Sequence, residues 1–348
     1  MTRAVFAVPG DLATPTGGYA YDRRMVEGLK ALGWQVDVLD LGDGFPVVDD
    51  ARKKRAGMLL AGAPNAAALI VDGLALGVLP EAAARLKASH RVVALVHHPL
   101  AYESGLAEPA KKALRVSEQE ALSHVKGIVT TSDTTKALLV SDYSVPANAI
   151  AVVRPGNEKR RAARGGKGRL SLLAVGSIVP RKGYDVLVAA LATLKDLNWT
   201  LTIAGDRERD VLAARRLDAQ VSAEGLGDHI TVAGAVADDK LDELYSGADV
   251  FVLASRFEGY GMALADAVAY GLPVIATNAG AIPEAVAADA SILVPPDDVA
   301  SLAASLRRVM GDSAEREKLA ANARAAASRL PAWQDQAKLF AQAIESFA

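Results

Sequence analysis

The sequence predicts an α/β chain built as two doubly wound, Rossmann-like domains that face each other across a crevice. Three observations predict it. Short β-branched runs alternate with longer Ala- and Leu-rich segments of helical period. The short runs are almost continuously apolar, which suits strands covered on both faces of a parallel sheet. The alternation breaks once, at the basic stretch NEKRRAARGGKGR over 157–169, and then begins again. Two cores are the natural outcome for 348 residues.

The elements follow in order. In the first half the candidate strands are Ala4–Val8, Gln35–Leu39, Ala68–Val71, Val92–Val96, Gly127–Thr131 and Ile150–Val153. In the second half they are Leu170–Val175, Thr200–Ala204, Ile230–Val232, Val250–Leu253, Pro273–Thr277 and Ser291–Val294. A helical pattern from Tyr21 to Leu32 follows the first strand. The segment from Trp333 to Phe347 has the i, i+3, i+4, i+7 spacing of an amphipathic helix. The expected division is a first domain over 1–156 plus 331–348, an exposed linker over 157–169, and a second domain over 170–330.

Composition narrows the chemistry. Hydrophobic residues make up 51% and charged residues 23%, the balance of a globular protein, and the net charge of -2 gives no support for nucleic-acid binding. The absence of cysteine removes disulfides and thiolate metal sites, and it fits a reducing compartment. The N-terminal apolar run is too short for a signal peptide, and no run approaches the roughly 18 apolar residues of a spanning helix. The G-x-G-x-x-G fingerprint, the G-x-x-x-x-G-K-[ST] loop and the D-x-D dyad are all missing. His97 and His98 are adjacent, so on a strand they point to opposite faces and do not easily share a metal.

Four segments at strand ends remain, where the ligands of doubly wound sheets bind. RFEGYGMALADAVAYG, residues 256 to 271, places Glu258 after a buried strand. Its glycines let the chain turn into a helix whose first amides, from Tyr260, Gly261 and Met262, suit a phosphate or a sugar hydroxyl. Asp266, deeper along that helix, suits a diol; the plain alternative is a solvated helix residue. VGSIVPRKGYDVLVAAL puts Arg181, Lys182 and Gly183 at another strand-to-helix junction, a natural diphosphate site or else an ordinary basic loop. Gly17-Gly18 allow an anion to approach the backbone, or mark a loop tip. In VVALVHHPLAYE, His97 or His98 ends a strand and would face the crevice, although a lone histidine is more often a hydrogen-bonded structural residue.

Together and in this order, these segments resemble the family 4 retaining glycosyltransferases, also called group 1, with the GT-B fold. The resemblance extends over nearly the whole chain. It includes Gly17-Gly18, the strand-end His97, VTTSDTTKALL with Ser132, VRPGN over 153–157, VGSIVPRKG, EGYGMALAD, GAIPEAV over 280–286, and LPAW before the last helix. Two positions depart from the family. Ser177 stands where the basic motif usually has arginine, and Asp266 where the acidic motif usually has glutamate.

The resemblance implies transfer of a sugar from a nucleotide-sugar donor, UDP- or GDP-linked, to a glycan, lipid or small-molecule acceptor, with retention of configuration. It implies His97, Lys182 and Glu258 as catalytic residues. The implied donor site comprises Gly17, Gly18, Arg181, Lys182, Val236, Glu258, Gly259, Tyr260, Gly261, Met262 and Asp266. The implied acceptor side carries His98, Tyr102 and Glu103. No metal and no cofactor are expected, since Arg181 and Lys182 would stabilise the leaving diphosphate. A cytoplasmic location is expected. The basic clusters Arg52-Lys53-Lys54-Arg55 and Lys111-Lys112 suggest at most weak peripheral contact with a membrane. A GT-B epimerase or phosphorylase, or an inactive nucleotide-sugar-binding partner, remain alternatives.

Overall fold

The computed structural model describes residues 2–103, 105–166 and 168–347; the chain ends assigned to the first domain and Lys167 of the linker lie outside these. The chain divides into two compact units, one of residues 1–14, 18–156 and 331–348, the other of 15–17 and 157–330.

In the first unit six parallel strands form one sheet: β1 (Arg3–Val8), β2 (Gln35–Asp40), β3 (Ala68–Asp72), β4 (Arg91–Val96), β5 (Gly127–Thr130) and β6 (Ile150–Val152). Their order is β2-β1-β3-β4-β5-β6. β3 and β5 are buried at every residue, while β2, on the edge, is mostly exposed. One face of the sheet is covered by the helices Gly17–Ala31 and Trp333–Ser346. Gly28 makes room for Ala337 there, and Phe6 stacks on Phe340 at 6.3 Å. Elsewhere helix starts are capped as their sequences suggest. Asp49 accepts from the Arg52 amide at 2.8 Å, and Ser132 from the Thr135 amide at 3.0 Å.

The second unit repeats the plan with β7 (Leu170–Val175), β8 (Trp199–Ala204), β9 (Ile230–Gly234), β10 (Val250–Leu253), β11 (Val274–Thr277) and β12 (Ser291–Val294). The order is β12-β11-β10-β7-β8-β9, again parallel. The chain moves outward from β7 to β9 and then returns to the other side of β7. The connections leaving β7 and β10 therefore diverge at neighbouring strand ends, the switch point where such sheets bind ligands. In the first unit the same reversal falls between β1 and β3.

Two local features differ from the sequence expectation. The first helix begins at Gly17, not Tyr21, so both glycines belong to its first turn. The stretch 157–169 keeps mostly exposed side chains, yet its backbone is pinned to the second unit. The amides of Ala163, Arg164 and Gly166 donate to Tyr270 O, Ser246 O and Asp249 Oδ1. Among the described residues, no helix is long and apolar enough to cross a membrane.

Candidate functional site

In the second unit the loop after β7 carries Pro180–Lys182 as a single 3-10 turn. Gly183 follows with φ 64°, and a Cβ there would collide with the Ala254 carbonyl, so only glycine lets this loop lie against the end of β10. Arg256 fastens the same contact. Its amide donates to Arg181 O at 2.8 Å, and its guanidinium reaches Pro180 O at 2.6 Å, Asp185 at 2.7 Å and Asp297 at 2.7 Å.

This packing brings three charged side chains together. Lys182 Nζ lies 2.7 Å from Glu258 Oε1, and Arg181 Nη1 lies 3.3 Å from Glu258 Oε2. Ser255 Oγ donates to Glu258 Oε1 at 2.6 Å, and Arg181 also donates to Phe257 O at 2.8 Å. Glu258 is only 6% exposed. Burial alone would push its carboxyl up; the charges of Lys182 and Arg181 and the hydrogen bonds from Lys182 and Ser255 outweigh this and hold it at about 2. Gly280, at φ 57°, leaves no room for a Cβ against the Glu258 backbone, and Ala281 N donates to Glu258 O at 2.9 Å. Two cations thus meet on one fixed carboxylate, the charge type and geometry that suit recognition of a diphosphate.

The chain turns through Gly259, Tyr260 and Gly261 into the helix Met262–Ala269. Asp266 sits half-buried on that helix, where Asn157 Nδ2 donates to its Oδ1 at 3.2 Å. Val236 is half-buried in the short connection after β9. Ser177 opens the loop after β7, and its carbonyl accepts from Val179 N at 3.0 Å.

The first unit holds a second cluster. His97 follows β4, and its Nε2 lies 3.0 Å from Asp22 Oδ1. Asp22 is fully buried on the helix Gly17–Ala31, and Asp72, 4% exposed, ends β3. A nitrogen of His97 and one oxygen from each carboxyl all lie within 4.8 Å of one another, the one His/Asp/Glu group so spaced among the described residues. Gly18 lies under the imidazole, with its would-be Cβ 3.3 Å from His97 Cδ2. His98 points elsewhere, its Nε2 3.6 Å from Glu103 Oε2, and Tyr102 donates to Asp142 at 2.5 Å.

Sequence reasoning missed Asp22, Asp72, Ser255, Arg256 and Asn157. Asp22 lies in the polar run Tyr-Asp-Arg-Arg and reads as a solvated helix residue. The available signal was its spacing: one turn after Gly18, it falls on the face that also carries Met25 and Leu29, both fully buried.

Comparison with known proteins agrees with this architecture. Residues 157–326 match the family model described as glycosyl transferases group 1. A curated relative, the MMP alpha-(1->4)-mannosyltransferase of Mycolicibacterium hassiacum, is 28% identical over 81% of this chain and 71% of its own length. A D-inositol 3-phosphate glycosyltransferase of Jonesia denitrificans is 30% identical over 62% of this chain and 56% of its own. The chain thus spans about half the length of relatives of that second kind. Among solved structures, a sucrose-phosphate synthase from Thermosynechococcus elongatus superimposes with a TM-score of 0.83 at 20% identity, over 99% of both chains. Anabaena HepE in complex with UDP-glucose gives 0.81 at 18% identity, over 99% of this chain and 100% of its own. At these identities the structural likeness concerns the fold, which is GT-B. The relatives named by activity are glycosyltransferases.

Proposed function

We propose that this chain, whose residues 157–326 match the group 1 glycosyl transferases, moves a sugar from a UDP- or GDP-sugar to an acceptor, retains the anomeric configuration and needs no metal or cofactor. The observation that carries this reading is the meeting of Arg181 and Lys182 on Glu258 at the switch point of the second sheet. A diphosphate arriving there would meet a planar guanidinium and a compact ammonium already fixed in place. The solved HepE complex with UDP-glucose supports the same class of donor.

In the proposed reaction the acceptor hydroxyl attacks the anomeric carbon on the face from which the diphosphate departs. The bond to the diphosphate oxygen breaks, the bond to the acceptor oxygen forms, and the hydroxyl proton passes to the departing phosphate. The protein then has two tasks. It orients the substrates, and it stabilises the charge that grows on the leaving group, the task assigned to Arg181 and Lys182. The second unit holds the nucleotide. The first contributes His97, with His98, Tyr102 and Glu103 on the acceptor side. Glycan, lipid and small polar acceptors all suit the reading. The names of the relatives put D-inositol 3-phosphate and sugar phosphates first in a panel. The proposed location is the cytoplasm, with at most weak, salt-sensitive membrane contact.

The test is a thermal-shift screen of UDP-, GDP-, ADP- and CDP-sugars, because a true donor stabilises the folded state by mass action. The stabilising donor is then assayed for acceptor-dependent release of nucleoside diphosphate in excess EDTA. Release without any acceptor would favour an epimerase, and binding without turnover an inactive partner. Loss of turnover in EDTA, restored by magnesium or manganese, would defeat the metal-free mechanism.

A further inference from the structure

The cluster around His97 has one unsolved atom. Asp22 Oδ1 faces His97 Nε2, but Asp22 Oδ2 is buried with no hydrogen-bond partner. Asp72 is equally enclosed, and its Oδ1 already accepts from the Leu74 amide at 2.7 Å. With both acids ionised, two like charges would lie in a water-poor pocket and one acceptor would go unused. Both faults disappear if Asp72 carries a proton, because its hydroxyl then donates to Asp22 Oδ2. We propose that Asp22 and Asp72 share one proton, and that Asp22 is thereby the positioning residue that keeps His97 turned inward with Nε2 protonated.

The charges balance under this assignment. The acid pair carries one negative charge and a protonated imidazole one positive charge, so the buried group is neutral as a whole. Burial and the charge of Asp22 push Asp72 up to about 7, against the opposing pull of His97 and the Leu74 amide. Burial lowers His97, but Asp22, by charge and hydrogen bond, and then Asp72 raise it above its ordinary value. Tyr21 is the remaining ionisable neighbour. Its ring meets the imidazole edge-on at 5.4 Å, and its hydroxyl is committed to Val153 O at 2.9 Å. Because Nε2 is held by Asp22, only Nδ1 of His97 is left to meet a substrate hydroxyl. That last consequence rests on the proposed function; the proton sharing does not.

The experiment is histidine NMR on the full chain, with nitrogen-15 in the imidazoles and His97 assigned by His97→Gln. The wild type should titrate above the ordinary imidazole value of 6.5, keep Nε2 protonated when neutral, and show a second inflection near pH 7 as Asp72 ionises. Asp22→Asn should lower the His97 midpoint by about a unit or more. Asp72→Asn, whose amide can donate to Asp22 as the acid does, should abolish the second inflection and preserve the Nε2 tautomer.

Thermal stability supplies an independent reading. The folded-state value of Asp72 is raised, so the folded state holds a proton that the unfolded state loses above about 3.8. Wild-type stability from this group therefore falls as pH rises from about 4 to 7 and is level beyond. The melting temperature of Asp72→Asn relative to wild type should climb over the same window. An unchanged His97 midpoint in Asp22→Asn, a neutral Nδ1 tautomer, or a flat Asp72→Asn difference would each overturn the proposal. So would zinc or manganese stabilising the wild type but not Asp22→Asn, which would put a cation where the proton is assigned. If Asp22→Asn does not fold, the wild-type tautomer and Asp72→Asn still decide. Failure of every donor to bind would sink the functional reading and leave these results standing.

Discussion

Both units gather three ionisable groups, with the carboxylates buried, at the carboxyl ends of a parallel sheet, and the two clusters are opposite in composition. Around Glu258 two cations surround one carboxylate; around His97 two carboxylates meet one imidazole. Burial opposes ionisation of both Glu258 and Asp72. Yet Glu258 is held at about 2 and Asp72 is driven to about 7, because the first faces Lys182 and Arg181 and the second faces Asp22. The same scaffold position therefore makes two devices. One gathers two cations on a carboxylate and suits an anionic ligand. The other has acid in excess and closes on itself with a proton.

The largest expected effect is at the centre of the cationic cluster. Glu258→Gln would take the buried carboxylate from between the half-buried Lys182 and Arg181, at a cost of about 3 kcal/mol. A nucleoside diphosphate replaces that counter-charge, so the gap between variant and wild type should narrow when UDP or GDP is added. The pH dependence runs opposite to that of Asp72. Glu258 is depressed in the folded state, so its contribution is present above about 4.5 and is lost as pH falls towards about 2. Denaturant melts from pH 7 to pH 3 would measure this. A Gln variant as stable as wild type at pH 7 would break the comparison.

Removing a cation tests the same cluster from the other side. Lys182→Ala should lower turnover by about a hundredfold or more, the scale of one lost transition-state charge partner. Stability should change little, because Arg181 and Ser255 still satisfy Glu258. Steady-state kinetics and a melting curve on the same preparation separate the two outcomes. Near-native turnover would remove Lys182 from the proposed chemistry.

The two clusters were unequally legible in the sequence. All twelve strands were readable, each within two residues of its observed ends, because strands buried on both faces leave continuous apolar runs. The first helix was placed late because two glycines are poor helix formers. Nothing local reveals that Gly18 packs tightly beneath His97. Arg181, Lys182 and Glu258 stand out singly as charges at strand ends, but their ion pairs join residues 76 or 77 positions apart. Asp22 was invisible for the same reason made worse: its partner lies 75 positions away, and two arginines follow it directly. Charge type and strand position can be read locally, whereas a buried pairing is created by topology.

The smallest effect concerns Asp266, which belongs to neither cluster and shows how one acid can be claimed by two roles. Its carboxylate accepts from Asn157 Nδ2 at 3.2 Å, and Asn157 Oδ1 is buried without a partner. If Asp266 also receives a ribose hydroxyl, Asp266→Ala should weaken donor binding by about 1.5–3 kcal/mol, the range for a hydrogen bond to an ionised group. If it serves only to hold Asn157, Asp266→Ala and Asn157→Ala should behave alike. Each would then lower stability by about 1 kcal/mol and leave the donor KM unchanged. Asp266→Glu separates the cases further. A glutamate extends by one methylene into a space already set by the Asn157 contact, so it should raise KM if the nucleotide shares that space. Donor titration calorimetry on the three variants measures the difference directly. A ribose role is withdrawn if Asp266→Ala binds donor as tightly as wild type.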